Sequence, residues 1–328
     1  MSGYPAELTR FLSGANIPGT DVWLDPPRRV PFAIWCNPAT VGIRNQPKLL
    51  CTDLAARLLG TARPLRNRAP LVTPYGRVVQ VGPLHITLHP AGYCLGDAQT
   101  RIRHEKQTYW YTGPRSTRSA LLDVADDPEP CHHIVLATDT MAPSLTYTDP
   151  QLTLDVLCNR ISEIAANQMT PIVVCTALGD AQEIAHGLFR RSLVYAAHKA
   201  IRRYNKIYRQ HGLEVPDVAV PATPKPRFTP VLWPDFDLER LTTQPLANPA
   251  ILVVGPRPLK LPVAWGHVEH VEYCRGPTLN ELEEVLTQTR PESIRICGPL
   301  QELVARALQQ RGWSAEPVDT QPQLPLLL

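Results

Sequence analysis

The segment 190–206 carries basic side chains whose spacing suits a polyanion such as nucleic acid. Several lie three, four or seven residues apart, which places them on one face if the segment is helical. The basic residues are Arg190, Arg191, Lys199, Arg202, Arg203 and Lys206. The apolar residues of the predicted helix fall on another face, at Ala197, Ile201, Tyr204 and Tyr208. Such a spacing more often gives a solvated face without a ligand, and the functional alternative is that these residues contact phosphates.

Histidine and cysteine residues do not have the spacing of a metal site. None of the eight cysteines forms a CxxC pair, which argues against a zinc ribbon. His267, His270 and Cys274 have a helical i, i+3, i+7 spacing. The apolar residues between them predict a strand instead, in which positions i and i+3 point to opposite sides. We therefore expect free buried thiols and neither a metal ion nor a cofactor.

The composition indicates a globular protein with a sizeable core. Of the 328 residues, 44% are apolar and 19% are charged, and the charged share lies below the usual share of about 25%. A net charge of +3 is too small to attract nucleic acid in bulk, so such a site must be a local patch. The sequence shows no signal peptide and no run of about 20 apolar residues. We expect a soluble, cytoplasmic protein without membrane contact.

The pattern of predicted elements changes near residue 149. Before it, short apolar or alternating runs such as 22–24 and 84–89 predict mainly strands. After it, helical and strand patterns alternate, which is typical of a parallel sheet with helical crossovers. In this part helices are predicted over 152–167, 179–188, 197–210, 279–289 and 300–311. Strands are predicted over 172–175, 193–195, 250–254, 267–273 and 293–297. The Pro-rich stretch 216–249 is predicted to be a connector with little regular structure.

Four segments together resemble one protein family. Residues 86–99 (ITLHPAGYCLGDAQ) are similar to a segment with the pattern HPAGHxLGSAQ, and residues 110–114 (WYTGP) are similar to a strand that ends in TGD. Residues 177–182 (ALGDAQ) resemble an ALGKAQ turn, and residues 193–195 (LVY) resemble an LVHG strand. These patterns are typical of metallo-β-lactamase-fold nucleases with a β-CASP cap. The start of the chain, VWLDP at 22–26, is similar to that of bacterial ligase-associated DNA exonucleases.

This resemblance implies a fold and a chemistry. The expected fold is an αββα sandwich built from residues 1–148 and 260–328, with an α/β cap inserted over residues 149–259. In this family two metal ions activate a water molecule for phosphodiester hydrolysis. The cap helps to close over nucleic acid, which would bring the basic segment to the phosphates. The matched turns contain Asp97 and Asp180, which we expect to cap helices.

The metal-ligand positions of the family carry unsuitable side chains in this sequence. The HxHxDH loop aligns with residues 36–41, and three further ligand positions fall within the matched motifs. The positions that have lost their ligands are Cys36, Pro38, Thr40, Val41, Tyr93, Pro114 and Tyr195. The last two ligand segments align near Cys274–Gly276 and Cys297. Among the acidic ligands only the one at the entry to the cap is retained, as Asp139.

Three hypotheses follow from these departures. We predict a pseudoenzyme, an inactive relative of an exonuclease that binds nucleic acid or scaffolds a partner in DNA repair or RNA processing. The partner would be an active nuclease, a ligase or a helicase. The second hypothesis is a retained exonuclease or hydrolase with a site rebuilt from Asp139, Asp97 and His89. The third is a structural interaction protein without a role in nucleic-acid binding.

Overall fold

The computed structural model describes residues 15–17, 19–39, 46–62, 69–146, 149–220, 228–261 and 265–318. Within these ranges the chain forms seven α-helices and three β-sheets. The predicted α/β class is therefore confirmed at this coarse level. Two of the substituted ligand positions, Thr40 and Val41, lie outside the described residues.

The first sheet has five short strands in chain order. They are β1 (Ala15–Asn16), β2 (Val22–Leu24), β3 (Phe32–Ile34), β4 (Leu49–Cys51) and β5 (Leu71–Val72). Strands β2 to β5 are parallel, and β1 pairs with β2 in the antiparallel sense. Helix α1 (Asp53–Ala62) covers the outer face, where Ala55 and Leu59 pack against Trp35.

The second sheet has seven strands in the order β18-β17-β10-β9-β8-β7-β6. Their bounds are β6 (Val78–Val81), β7 (Leu84–His89), β8 (Gln99–His104), β9 (Gln107–Tyr111), β10 (His133–Ala137), β17 (Ser293–Cys297) and β18 (Ala315–Pro317). Helices α6 (Leu279–Thr289) and α7 (Gln301–Gln310) cover its outer face. The inner faces of both sheets share one core, in which Ile34 meets Ile86 and Ile102. The layers therefore run helix, sheet, sheet, helix.

The third sheet has six parallel strands in the order β13-β12-β14-β11-β15-β16. Their bounds are β11 (Thr170–Cys175), β12 (Ala196–Ala197), β13 (Val218–Ala219), β14 (Val231–Pro234), β15 (Pro249–Gly255) and β16 (Val268–Glu272). Helices α2 (Pro150–Ala166), α3 (Asp180–Arg190) and α4 (Lys199–Gln210) pack on one face. The short helix α5 (Leu238–Leu241) packs on the other face through Leu241.

Several helix boundaries follow from local capping. The Asp149 carboxylate accepts hydrogen bonds from the backbone N–H groups of Gln151 and Leu152, and Pro150 starts α2, where no donor is needed. Thr278 and Glu281 form a reciprocal capping box at the start of α6. The His198 ring accepts from the N–H of Ala200, so α4 begins at Lys199.

The structure corrects two predictions about the third sheet. The predicted connector 216–249 contains β14, a fully buried strand paired on both sides. Its four residues are too few to show a period. The strand predicted at 193–195 is displaced to β12, because Val194 is 68% exposed while Ala196 and Ala197 are buried. The sheet also includes β16, beyond residue 259, and the cap bounds 149–259 stay a prediction.

The third sheet and the sandwich share a core. Leu58 of α1 and the loop residues Tyr93 and Cys94 pack within the same cluster as α2, α3 and α4. The hydroxyl of Tyr208 accepts a hydrogen bond of 2.9 Å from the N–H of Leu95. Helix α4 is therefore fixed to both parts. None of the described helices is long and apolar enough to cross a lipid bilayer.

Candidate functional site

A cavity of about 160 Å³ lies where the third sheet meets the sandwich. Its charged side chains follow the carboxyl ends of parallel strands, which is where α/β folds place their ligand sites. Asp139 follows β10, Asp235 follows β14 and Arg257 follows β15. Asp180 starts α3 after β11, and Arg275 lies just past β16. The fold thus brings five charged groups from distant parts of the chain to one opening.

A buried ionic network forms one wall of the cavity. The Arg275 side chain is 1% exposed, and it donates to Asp180 at 3.2 Å and to Glu183 at 3.3 Å. It also donates to the Tyr93 backbone oxygen at 2.8 Å, and its guanidinium lies 4.5 Å from the centre of the Tyr93 ring. The Tyr93 hydroxyl donates to Asp180 at 3.0 Å. Burial opposes the charge on Arg275, but the Glu183 and Asp180 carboxylates outweigh it and raise the pKa of the guanidinium.

The network also joins the sandwich to α3. Ser119 and the N–H of Ala120, both in the sandwich, donate to the Glu183 carboxylate. Gly179, in the ALGDAQ turn, has a φ of +100°, and a Cβ at this position would lie 2.8 Å from the Tyr93 ring. Glycine is therefore required where the turn approaches Tyr93. Two of the four segments on which the resemblance is based, 86–99 and 177–182, therefore meet at this contact.

Two carboxyl groups of the cavity titrate close to neutral pH. Burial raises the pKa of Asp139 to about 7, and the charge of Asp25 adds to this effect. Burial likewise raises the pKa of Asp235 to about 7, with a further contribution from Asp180. Burial lowers the pKa of Arg257, against the opposing effect of Asp139. A carboxyl group with such a pKa suits proton transfer at physiological pH.

The other substituted ligand positions that the structure describes take part in packing. The Cys36 sulfur lies 3.0 Å from the Thr100 hydroxyl, and Pro38 and Pro114 are buried. The buried Tyr195 hydroxyl has no hydrogen-bond partner among the described residues. The later ligand segments supply Cys274, which donates to the Thr140 carbonyl at 3.0 Å, and the buried Cys297.

The rebuilt site of the second hypothesis does not form as predicted. The Asp97 carboxylate accepts hydrogen bonds from four backbone N–H groups in the loop 91–94, so it organises that loop and does not cap a helix. His89 lies 3.5 Å from Asp126, with its ring against Trp110. Of the three residues, only Asp139 lines the cavity. The second predicted cap, Asp180, is the first residue of α3 and is bound to Arg275.

The described ranges contain no cluster of side chains that could bind a metal ion. There, no three histidine, cysteine, aspartate or glutamate side chains lie close enough together to hold one ion. The strand predicted over 267–273, in place of a helical metal site, is present as β16. Nε2 of His270, at the centre of this strand, lies 3.2 Å from the Gly255 carbonyl oxygen.

The basic residues of 190–206 divide into two groups. Arg191 pairs with Asp155, and Arg202 pairs at 3.0 Å with Asp217, whose side chain is 1% exposed. Lys199, Arg203 and Lys206 are exposed on α4 and form no ion pair within the described part of the chain. Arg190 is exposed at the end of α3, where the parallel strands begin. Lys199 lies at the start of α4, where the parallel strands end.

The sequence reasoning missed Arg240. This residue lies in α5, inside the predicted connector, and it is exposed. Burial lowers the pKa of His198, and the charges of Lys199, Arg240 and Arg203 lower it further, although Asp237 opposes them. The three cations therefore all lie near the start of α4. No periodicity in the sequence links Arg240 to α4.

The comparisons with known proteins give one distant similarity, to a protein named as a DNA enzyme. No protein-family model matches it. A curated relative from Opitutus terrae, named "Probable DNA ligase", is 26% identical over 219 residues, which is 63% of this chain and 20% of that protein. The chain thus spans about one fifth of the length of this curated relative.

This similarity corrects the prediction of a pseudoenzyme. The relative carries the name of an enzyme, so the expectation that the chain is not an enzyme is contradicted. The prediction was wrong because lost ligands argue only against one metal-dependent chemistry. They do not argue against chemistry carried out by other groups, such as a carboxyl with a pKa near neutrality.

Proposed function

We propose that this chain is a DNA-binding part of a DNA-joining enzyme system. It holds DNA along the exposed basic face of α4 and leads it towards the cavity. The observation that carries this proposal is the division of the basic residues. Arg191 and Arg202 are neutralised by acids, whereas Lys199, Arg203 and Lys206 are left exposed for an external anion. Lysine and arginine that face phosphates supply most of the affinity of non-specific DNA binding.

The similarity to the probable DNA ligase supports DNA as the ligand and a DNA ligase as the partner. We also propose that the four-layer part is a metallo-β-lactamase-like core and that the third sheet with its helices is a β-CASP-like cap. The order of layers and the position of the parallel sheet in the chain support this assignment.

Charge reversal on α4 tests the proposal. We expect Lys199→Glu combined with Arg203→Glu to weaken DNA binding at least about tenfold, because about two ionic contacts are lost. Fluorescence anisotropy with a labelled oligonucleotide measures the affinity. The matched control is Arg103→Glu with Lys106→Glu, two exposed residues of the β8–β9 hairpin that give the same change in net charge. An equal loss of DNA affinity in both double variants would mean that only net charge matters. It would contradict a defined DNA-binding site on α4.

Contact with a ligase has its own test. Joining of nicked DNA by a bacterial DNA ligase should be faster in the presence of the chain. The α4 double variant should remove this effect, and the hairpin variant should keep it. An unchanged joining rate with the unmodified chain would contradict the proposed partner.

A second candidate function is phosphodiester hydrolysis within the cavity. The pKa of about 7 at Asp139 favours it, because such a carboxylate can accept a proton from an attacking water. Arg257 would stabilise the charge that develops on the phosphate. The rate should rise with pH up to about 7, since the base works when deprotonated, and Asp139→Asn should abolish it. A nuclease assay in which Asp139→Asn leaves the rate unchanged would exclude this role.

A further inference from the structure

One large aromatic side chain is exposed beside the basic face of α4. Phe236 is 45% exposed, and it lies in the 3₁₀ turn Asp235–Asp237 that follows β14. The residue before it, Asp235, lines the cavity. The residue after it, Asp237, contacts His198, which immediately precedes α4. Phe236 therefore stands at the rim between the cavity and the basic residues.

The turn that carries Phe236 is held from both sides. The Asp237 carboxylate lies 3.3 Å from Nε2 of His198. The Trp233 indole donates to the Asp237 carbonyl at 2.8 Å, and its ring lies 4.6 Å from the His198 ring. Both Trp233 and His198 are buried. An exposed ring on such a fixed turn loses little conformational freedom when a flat ligand stacks on it.

Three cations lie near the residue that contacts this turn. Lys199 and Arg203 of α4 and Arg240 of α5 all act on His198, which contacts the turn. Three carboxylates lie on the same segment. Asp237 is engaged with His198, burial raises the pKa of Asp235, and Glu239 is exposed next to Arg240. An exposed aromatic ring beside several cations is the combination that binds single-stranded nucleic acid: the bases stack and the phosphates pair with the cations.

We propose that Phe236 is a stacking platform for an unpaired base, and that Lys199, Arg203 and Arg240 bind the phosphates on either side of it. The site then takes single-stranded DNA in preference to duplex DNA, because a base inside a duplex has both faces covered by its neighbours. This inference rests on the proposed DNA-binding function. It adds the strandedness of the DNA and assigns two residues, Phe236 and Arg240, that lie outside α4.

The test compares three labelled probes: a thymidine 12-mer, the same strand with abasic residues, and a 12-base-pair duplex. The unmodified chain should bind the thymidine strand most tightly. Phe236→Ala should weaken binding of the thymidine strand about fivefold or more. Phe236→Trp keeps an aromatic ring and should bind this strand as tightly as the unmodified chain. Neither variant should change binding to the abasic strand. The matched control is Phe189→Ala, since Phe189 is 39% exposed beside Arg190 at the opposite edge of the third sheet.

The results separate this inference from the function on which it rests. If the α4 charge reversal weakens binding but Phe236→Ala does not, the stacking platform is refuted and the DNA-binding function stands. Tighter binding of the duplex, or equal losses for the thymidine and abasic strands, would also refute it. Absence of binding to all three probes would overturn both.

Discussion

Two groups of charged residues in this molecule have opposite surroundings. At the junction of sandwich and third sheet, Arg275 is buried and surrounded by Asp180, Glu183 and the Tyr93 ring. On α4, Lys199 and Arg203 are exposed, with no ion pair among the described residues. The buried group satisfies its own charges, whereas the exposed group leaves its charges for an external partner.

The difference shows how to separate structural charges from binding charges. A buried charge must be paired, because an unpaired one costs several kcal/mol. An exposed cation gains little from a pair, so its position is not set by folding. Arg202 and Arg203 are adjacent in the sequence but fall into different groups.

The largest effect is expected at the junction. Arg275→Met leaves two carboxylates buried without a counter-charge, so the free energy of unfolding should fall by about 3–5 kcal/mol. Chemical denaturation followed by circular dichroism measures it. The control is Arg295→Met, which removes a half-exposed pair with Glu316 at 2.7 Å and should cost less than about 1 kcal/mol. Similar losses in the two variants would mean that burial of the charge is unimportant.

A smaller effect should distinguish the adjacent arginines of α4. Arg202→Gln removes a partner of the buried Asp217, which keeps Asn205 and Arg209, so we expect a loss of about 1–2 kcal/mol in stability. Its DNA affinity should change little. Arg203→Gln should do the reverse, with unchanged stability and weaker DNA binding. Denaturation and anisotropy on both variants test this, and a fall in both properties for each arginine would remove the distinction.

The pH dependence of stability should reveal the cavity carboxyl groups. The pKa of Asp235 is raised to about 7, so the folded chain holds this proton more tightly than the unfolded chain. The contribution of the Asp235 carboxyl group to the free energy of unfolding is therefore fully present at low pH. It is lost as the pH rises from about 4 to about 7. Between pH 5 and pH 8 the unmodified chain should therefore lose about 2–3 kcal/mol more stability than the Asp235→Asn variant. Parallel curves for the two proteins would contradict the raised pKa.

Much of the fold could be predicted because its elements have strong local signals. Leu279–Thr289 and Ser293–Cys297 agree with the sequence pattern at both ends, since a capping box and an alternating apolar run define them. Strand β14 could not be predicted, because a short strand buried on both faces shows no alternation. Its absence from the prediction also hid the turn with Phe236 and helix α5 with Arg240.

The candidate site was predicted in part for a related reason. Helical spacing identified the basic residues of α4, but spacing cannot show that Asp217, fifteen residues away from Arg202, neutralises that residue. The resemblance directed attention to Tyr93 and Asp139, and both residues line the cavity. It did not indicate that Arg275 and Asp180 would form an ion pair there, because this contact joins residues 95 positions apart.

The salt dependence of DNA binding tests the central claim most directly. Each phosphate that a cation neutralises on single-stranded DNA contributes about −0.7 to the slope of log K against log salt concentration. The unmodified chain should give a slope of about −2 or steeper, and Lys199→Gln with Arg203→Gln should reduce its magnitude by about 1.4. Arg202→Gln should leave the slope unchanged. A slope near zero, or one equally reduced by the Arg202 variant, would contradict the claim that the exposed cations are the binding residues.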